Sequence, residues 1–322
     1  MPEGTRTYPS EPAKTALQLF RQWFGLRFAR SSRIGDAAES GHLLRATIEV
    51  GRQWALATTV VDALSFESTP EFESARAVVE HRLDHAGLQV ALWLPKEAPL
   101  PVQEPSLSEQ LALAIQGADV LEDGRLELRM PVTMNMRRTS SEGSVVTAVG
   151  GLSSLWAEFT NRVPGTFYLD ARSLSRLTAN EDERKQLVDR IADRAGLPDV
   201  DDWVDIDSEQ AWSANTLEEG GSSVMGSPAP EDDEHSAGLR RHLRSVLRAA
   251  KEQGDGSSDG TALVLVGSAT YAAEEKLSWA LRGMDPGLYA GYDIVTVIAD
   301  GLVRPIMEPA MGALPWDVQL PQ

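Results

Sequence analysis

The stretch from Thr261 to Met307 constrains the fold most, because two strand-like runs, a helix and a tight turn follow one another there with clear punctuation. Ala262 to Val266 is a continuous apolar run of the kind that a strand buried on both faces needs, and it stops at Gly267-Ser268. Thr270 can cap a helix with Glu274 and Glu275 in its first turn and Leu277 and Leu281 facing inward. The next apolar run, Ile294 to Ala299, ends in Asp300-Gly301, a dipeptide suited to the positive φ angles of a type I′ turn, and Leu302 to Met307 returns. The expectation is a βαβ crossover with an antiparallel edge strand, within an α/β or mixed α+β fold of mixed sheets flanked by helices.

A chain of 322 residues can form one large domain or two ordinary ones. No apolar run approaches 18 residues, and Met1 to Arg6 carries no apolar leader, so a cytoplasmic protein with no membrane contact is expected. With no cysteine, disulfides, thiolate metal sites and cysteine nucleophiles are excluded together. Only five of the 30 basic residues are lysine, a bias that GC-rich codons produce and that points to a GC-rich bacterial source. The net charge of −18 argues against a protein that coats nucleic acid non-specifically, and leaves room for a local basic patch.

Taken in order, Ser10 caps a helix with an apolar stripe at Leu17, Phe20, Trp23 and Phe24, which reads as a core helix with Arg21, Arg27, Arg30 and Arg33 on or just beyond it. Leu43 to Val50 alternates as a half-buried strand, and Trp54 to Leu64 is its partner. Thr69-Pro70 opens a helix with Phe72, Ala75, Val79, Leu83 and Ala86 at helical spacing, closed by Gly87 and followed by the strand Leu88 to Leu94. After a proline-rich connector the order α, β, β, α, β recurs: helix 107–116, paired strands 125–136 and 144–149, helix 152–161 and strand 166–169. In the first of these strands Leu126, Leu128, Met130, Val132, Met134 and Met136 share one face, and the methionines read as core filler. Asn180 to Ala195 is an amphipathic helix, and Asp199 to Asp207 forms an acidic patch around Trp203. Residues 213–236 are rich in Gly, Ser, Pro, Glu and Asp and read as a mobile acidic insertion. The resulting partition is an N-terminal domain over 1–118 and a C-terminal domain over 119–322.

The order α, β, β, α, β is similar to the core of restriction-endonuclease-like nucleases, in which a strand-borne Asp and a Glu/Asp-x-Lys pair hold magnesium and activate water. Asp62 ends a strand here, but no Glu-x-Lys or Asp-x-Lys follows on the next one. His81 and His85 share a helix face without a third ligand at useful spacing, and neither a phosphate loop with its lysine nor a Gly-x-Ser-x-Gly elbow is present. No metal, cofactor or catalytic residue is therefore assigned. The most distinctive charge feature is a helix at 239–252. Its apolar stripe leaves Arg241, Arg244, Arg248 and Lys251 as a basic ridge, suited to an acidic protein partner or to a phosphate backbone. Pairing of Arg240 or Arg241 with the acidic run Glu231 to Glu234 is the internal alternative. The expected function is a non-catalytic subunit or adaptor of an intracellular bacterial assembly, near nucleic-acid processing or phage defence; the alternative is a divergent magnesium-dependent nuclease.

Overall fold

The computed structural model describes residues 10–40, 43–62, 69–95, 100, 105–149, 159–160, 162–174, 177, 180–226, 241, 244–245, 247–248, 258–267, 285–309 and 313–317. Among these the fold is mixed α/β, with thirteen strands and four helices whose full span is resolved into elements. The expected helix at 270–281, residues 227–236 and most of 152–161 lie outside the described residues.

Two compact units form, one from residues 1–94 with 215–322 and the other from 95–214. The linear partition at 118/119 differs from this because strands far apart in sequence pair. The first unit starts with α1 (Ser10–Phe28), β1 (Ser32–Ser40), β2 (Leu43–Val50), β3 (Trp54–Asp62), α2 (Pro70–His85) and β4 (Val90–Trp93). It ends with β10 (Ser223–Met225), β11 (Gly260–Gly267), β12 (Ile294–Ala299) and β13 (Leu302–Met307). Its six-stranded sheet runs β1-β2-β3-β11-β12-β13. Here β3, β11 and β12 are mutually parallel, with Val264 facing Val60 on one side and Thr296 on the other.

The unbroken apolar sequence of β11 and β12 is used on both faces. Ala262, Val264, Val266, Ile294 and Ile298 join the core that contains α1, while Leu263, Leu265, Val295 and Val297 on the opposite face are buried as well. Asp300 and Gly301 turn the chain with φ of 54° and 78°, so the dipeptide makes the expected tight turn into β13. Pro305 sits in that edge strand, the place in a sheet where proline is tolerated. Helix α1 buries Leu17, Phe20 and Phe24, each contributing roughly 1.5–3 kcal/mol through apolar burial. Phe24 meets the ring of Trp316 edge-on at 5.5 Å, and the Arg30 guanidinium donates to the Trp316 carbonyl at 2.6 Å. Arg27 pairs with Glu308 at 3.0 Å and Arg21 with Glu218, so the basic side of α1 is engaged within its own unit.

Three readings are corrected in this unit. Strand β1 was not expected; it lies antiparallel on β2, with a register shift between Ile34 and Ala37. The inward face of α2 keeps the expected Val79 and Leu83 but has Glu73, Arg76 and Glu80 in place of Phe72, Ala75 and Ala86. Residues 213–226, expected to be mobile, are ordered: Leu217, Val224 and Met225 are buried, and β10 pairs in parallel with β4. The carboxylates of α2 explain that order, since Glu80 accepts from the Val224 N–H at 2.9 Å and Asp84 from the Ser222 N–H at 2.5 Å. Asn215 adds a further tie by accepting from the Trp93 indole at 2.8 Å and donating to the Gly301 carbonyl at 3.0 Å.

The second unit holds α3 (Pro105–Gln116), β5 (Asp119–Val120), β6 (Leu126–Ser140), β7 (Ser144–Val149), β8 (Gly165–Asp170), α4 (Glu181–Ala195) and β9 (Val204–Thr216). Strand β6 lies between β9 and β8. The expected pairing of β6 with β7 is replaced by a crossover: β8 inserts beside β6, and β7 runs parallel on the far side of β8. The alternation in β6 holds, with Leu128, Met130, Met134 and Met136 buried and Thr133 and Arg137 exposed. Met134 and Met136 pack with Phe167, Leu169, Val204 and Ile206 of the neighbouring strands and with Leu187, Val188 and Ile191 of α4.

Candidate functional site

Of the ridge residues, Arg241, Arg244 and Arg248 are helical and exposed. At about 100° per residue they fall within an arc of about 60°. Leu247, at the margin of the expected apolar stripe, is fully buried and commits the helix to one orientation. Among the described residues none of the three arginines has an ion-pair partner. Lys251, Arg240 and the acidic run at 231–234 lie outside the described residues. The arrangement offers three guanidinium groups along about two helical turns, a spacing that can bind successive carboxylates or phosphates.

Asp62 ends β3, in register with Val266 of the parallel neighbour β11, and is fully buried. The carboxyl ends of parallel strands are where ligands bind in open α/β sheets, so the position is suited to chemistry. Among the described residues, however, no group of three or more His, Asp or Glu side chains could hold a metal ion. His81 and His85 are exposed on α2, on the side away from Val79 and Leu83.

The patch around Trp203 is more structured than its composition suggests. The indole is 50% exposed, meets Tyr168 edge-on at 5.5 Å and carries the Arg137 guanidinium 5.2 Å above its ring. Two of its acids are used locally. Arg138 binds Asp201 at 2.7 Å and Arg194 binds Asp199 at 2.6 Å, and these hydrogen bonds hold both carboxyls below the ordinary 3.8. Asp205, Asp207 and Glu209 alternate with the buried Ile206 and Ser208 along β9, so this part of the acidic row is the solvent side of a strand. That period-two pattern of Val204, Ile206 and Ser208 against the three acids was the available signal for β9, a strand that composition alone conceals.

No helix among the described residues is long and apolar enough to cross a membrane. Comparison with protein-family models, with curated proteins and with solved structures gave no match for this chain.

Proposed function

We propose that this chain is a non-catalytic binding subunit or adaptor of an intracellular bacterial assembly that engages an acidic partner through the helical ridge. The observation that carries this reading is the row Arg241, Arg244 and Arg248, exposed and without ion-pair partners among the described residues, on a protein of net charge −18. Such a row is poorly explained by folding, because exposed ion pairs contribute only about 0–1 kcal/mol. A partner rich in carboxylates fits it, and so does a phosphate backbone, which would place the chain near nucleic-acid processing or phage defence. The alternative is a divergent magnesium-dependent nuclease; the burial of Asp62 at the carboxyl end of a parallel strand is what favours it.

The double substitution Arg244→Glu with Arg248→Glu is expected to leave thermal stability nearly unchanged. It is also expected to release partners that co-purify with the wild-type chain at low salt, and the difference should shrink as salt rises. Unfolding of the double variant would identify the ridge as an internal ion-pair network. A folded variant that keeps every partner at low salt would identify it as solvated surface.

A further inference from the structure

Among the described residues, three of the strands that end a sheet carry features that discourage pairing with another chain. Strand β1 exposes Arg33 and Asp36 and shifts its register after Ile34. Strand β13 exposes Arg304 and Pro305, and its ladder to β12 is shifted as well, while β10 is three residues long and buried. Strand β7 has none of these protections. Its six residues, Ser-Val-Val-Thr-Ala-Val, include no charge and no proline, most are β-branched, and its ladder to β8 is unbroken. It nevertheless ends its sheet, with Val145 53% exposed and Ser144 and Thr147 exposed beside it.

Half of the backbone hydrogen-bonding groups of β7 point away from β8. The Gly165 and Ala171 amides donate to the Gly143 and Val149 carbonyls at 2.8 and 2.9 Å. In this parallel ladder the odd-numbered residues therefore turn toward β8, and Ser144, Val146 and Ala148 turn their N–H and C=O groups outward. The side chains of Val146 and Ala148 pack on the core that contains Phe159, so the chain that follows β7 returns to that inner face. Among the described residues no strand lies on the outer edge.

We infer that β7 pairs antiparallel with β7 of a second copy of this chain, extending the sheet across a two-fold axis. With the axis at Val146, Ser144 lies opposite Ala148 and Val146 opposite its counterpart, so the three outward residues of each copy are satisfied together by about six hydrogen bonds. The same register sets Val145 across from Thr147 on the solvent side, a β-branched pair made twice. Charge selects a second copy as the occupant: at a net charge of −18 two copies repel, and β7 brings no charge of its own to their contact. An edge-to-edge ladder of this length is a small interface, so the dimer is concentration-dependent. It uses different elements from the ridge and does not depend on the ridge's role.

Sedimentation velocity of the full chain, over a concentration series reaching the sub-millimolar range and at low and high salt, tests the inference. A monomer–dimer equilibrium is expected that persists at high salt, where contacts driven by exposed charges are screened. Val145→Lys with Thr147→Lys sets lysine opposite lysine twice across the axis. It should weaken dimerisation about tenfold or more, even though it reduces the net negative charge of each copy. Val145→Lys with Thr147→Glu sets lysine opposite glutamate and should keep the dimer. Both positions are exposed, so both variants should unfold at the wild-type temperature. A wild-type chain that stays monomeric throughout, or two charged variants that dimerise equally, would overturn the pairing.

Discussion

Replacing Met134 by Asp is expected to cost on the order of 4 kcal/mol or more, whereas Thr133→Asp next to it should cost less than about 1 kcal/mol. Met134 is fully buried in the core shared by β6, β8, β9 and α4, and a carboxylate placed there would have no partner in the cluster of apolar side chains. Thr133 is exposed and its hydroxyl donates to Asp207 at 3.2 Å, so the neighbouring substitution loses one surface hydrogen bond and sets two carboxylates side by side. Urea unfolding midpoints of the two variants measure the contrast. Equal losses would mean that the alternation of β6 does not set which face is buried.

The second large effect is expected at Arg76. Its side chain is 1% exposed, lies 2.6 Å from Glu73 and 3.6 Å from Glu80, and these two carboxylates are themselves nearly buried. Arg76→Met should cost about 3–5 kcal/mol, because removing one member of a buried ion group leaves charges without compensation. His81→Ala, on the exposed side of the same helix, serves as the control and should change stability by less than about 0.5 kcal/mol. The loss at Arg76 should also loosen residues 222–225, since Glu80 holds the Val224 amide. Faster amide exchange confined to β10 in a milder variant such as Arg76→Lys would show that link directly. A stability change no larger than that of His81→Ala would show that the group is dispensable.

Much of the first unit was legible because its strands announce themselves. Ala262 to Val266 and Ile294 to Ala299 are unbroken apolar runs, and they pair in parallel and are buried on both faces. Leu44, Ala46, Ile48 and Val50 alternate in sequence and are buried in the structure. What remained hidden followed from non-local stabilisation. Strand β1, with the sequence Ser-Arg-Ile-Gly-Asp-Ala-Ala-Glu-Ser, has little intrinsic preference for extended structure and is held by its backbone ladder to β2. Residues 213–226 look disordered by composition, yet carboxylates from a helix about 140 residues earlier satisfy their amides. The inward face of α2 was only half legible for the same reason: Val79 and Leu83 are buried as their spacing requires, but an apolar count ignores charges such as Glu73, Arg76 and Glu80 that find buried partners.

The candidate sites divide along similar lines. The ridge was readable from helical spacing alone, and Arg241, Arg244 and Arg248 are exposed as that spacing requires. The order of the patch around Trp203 was not, because Arg137, Arg138 and Arg194 reach it from two other elements that no local pattern connects to it.

The proposal that this chain binds rather than cuts can be decided by one experiment. Incubating the purified protein with single- and double-stranded nucleic acid in the presence of magnesium or manganese tests it most directly. The expected result is intact substrate at every time point, with the wild-type chain and Asp62→Ala indistinguishable; metal-dependent cutting that disappears in a folded Asp62→Ala variant would contradict it.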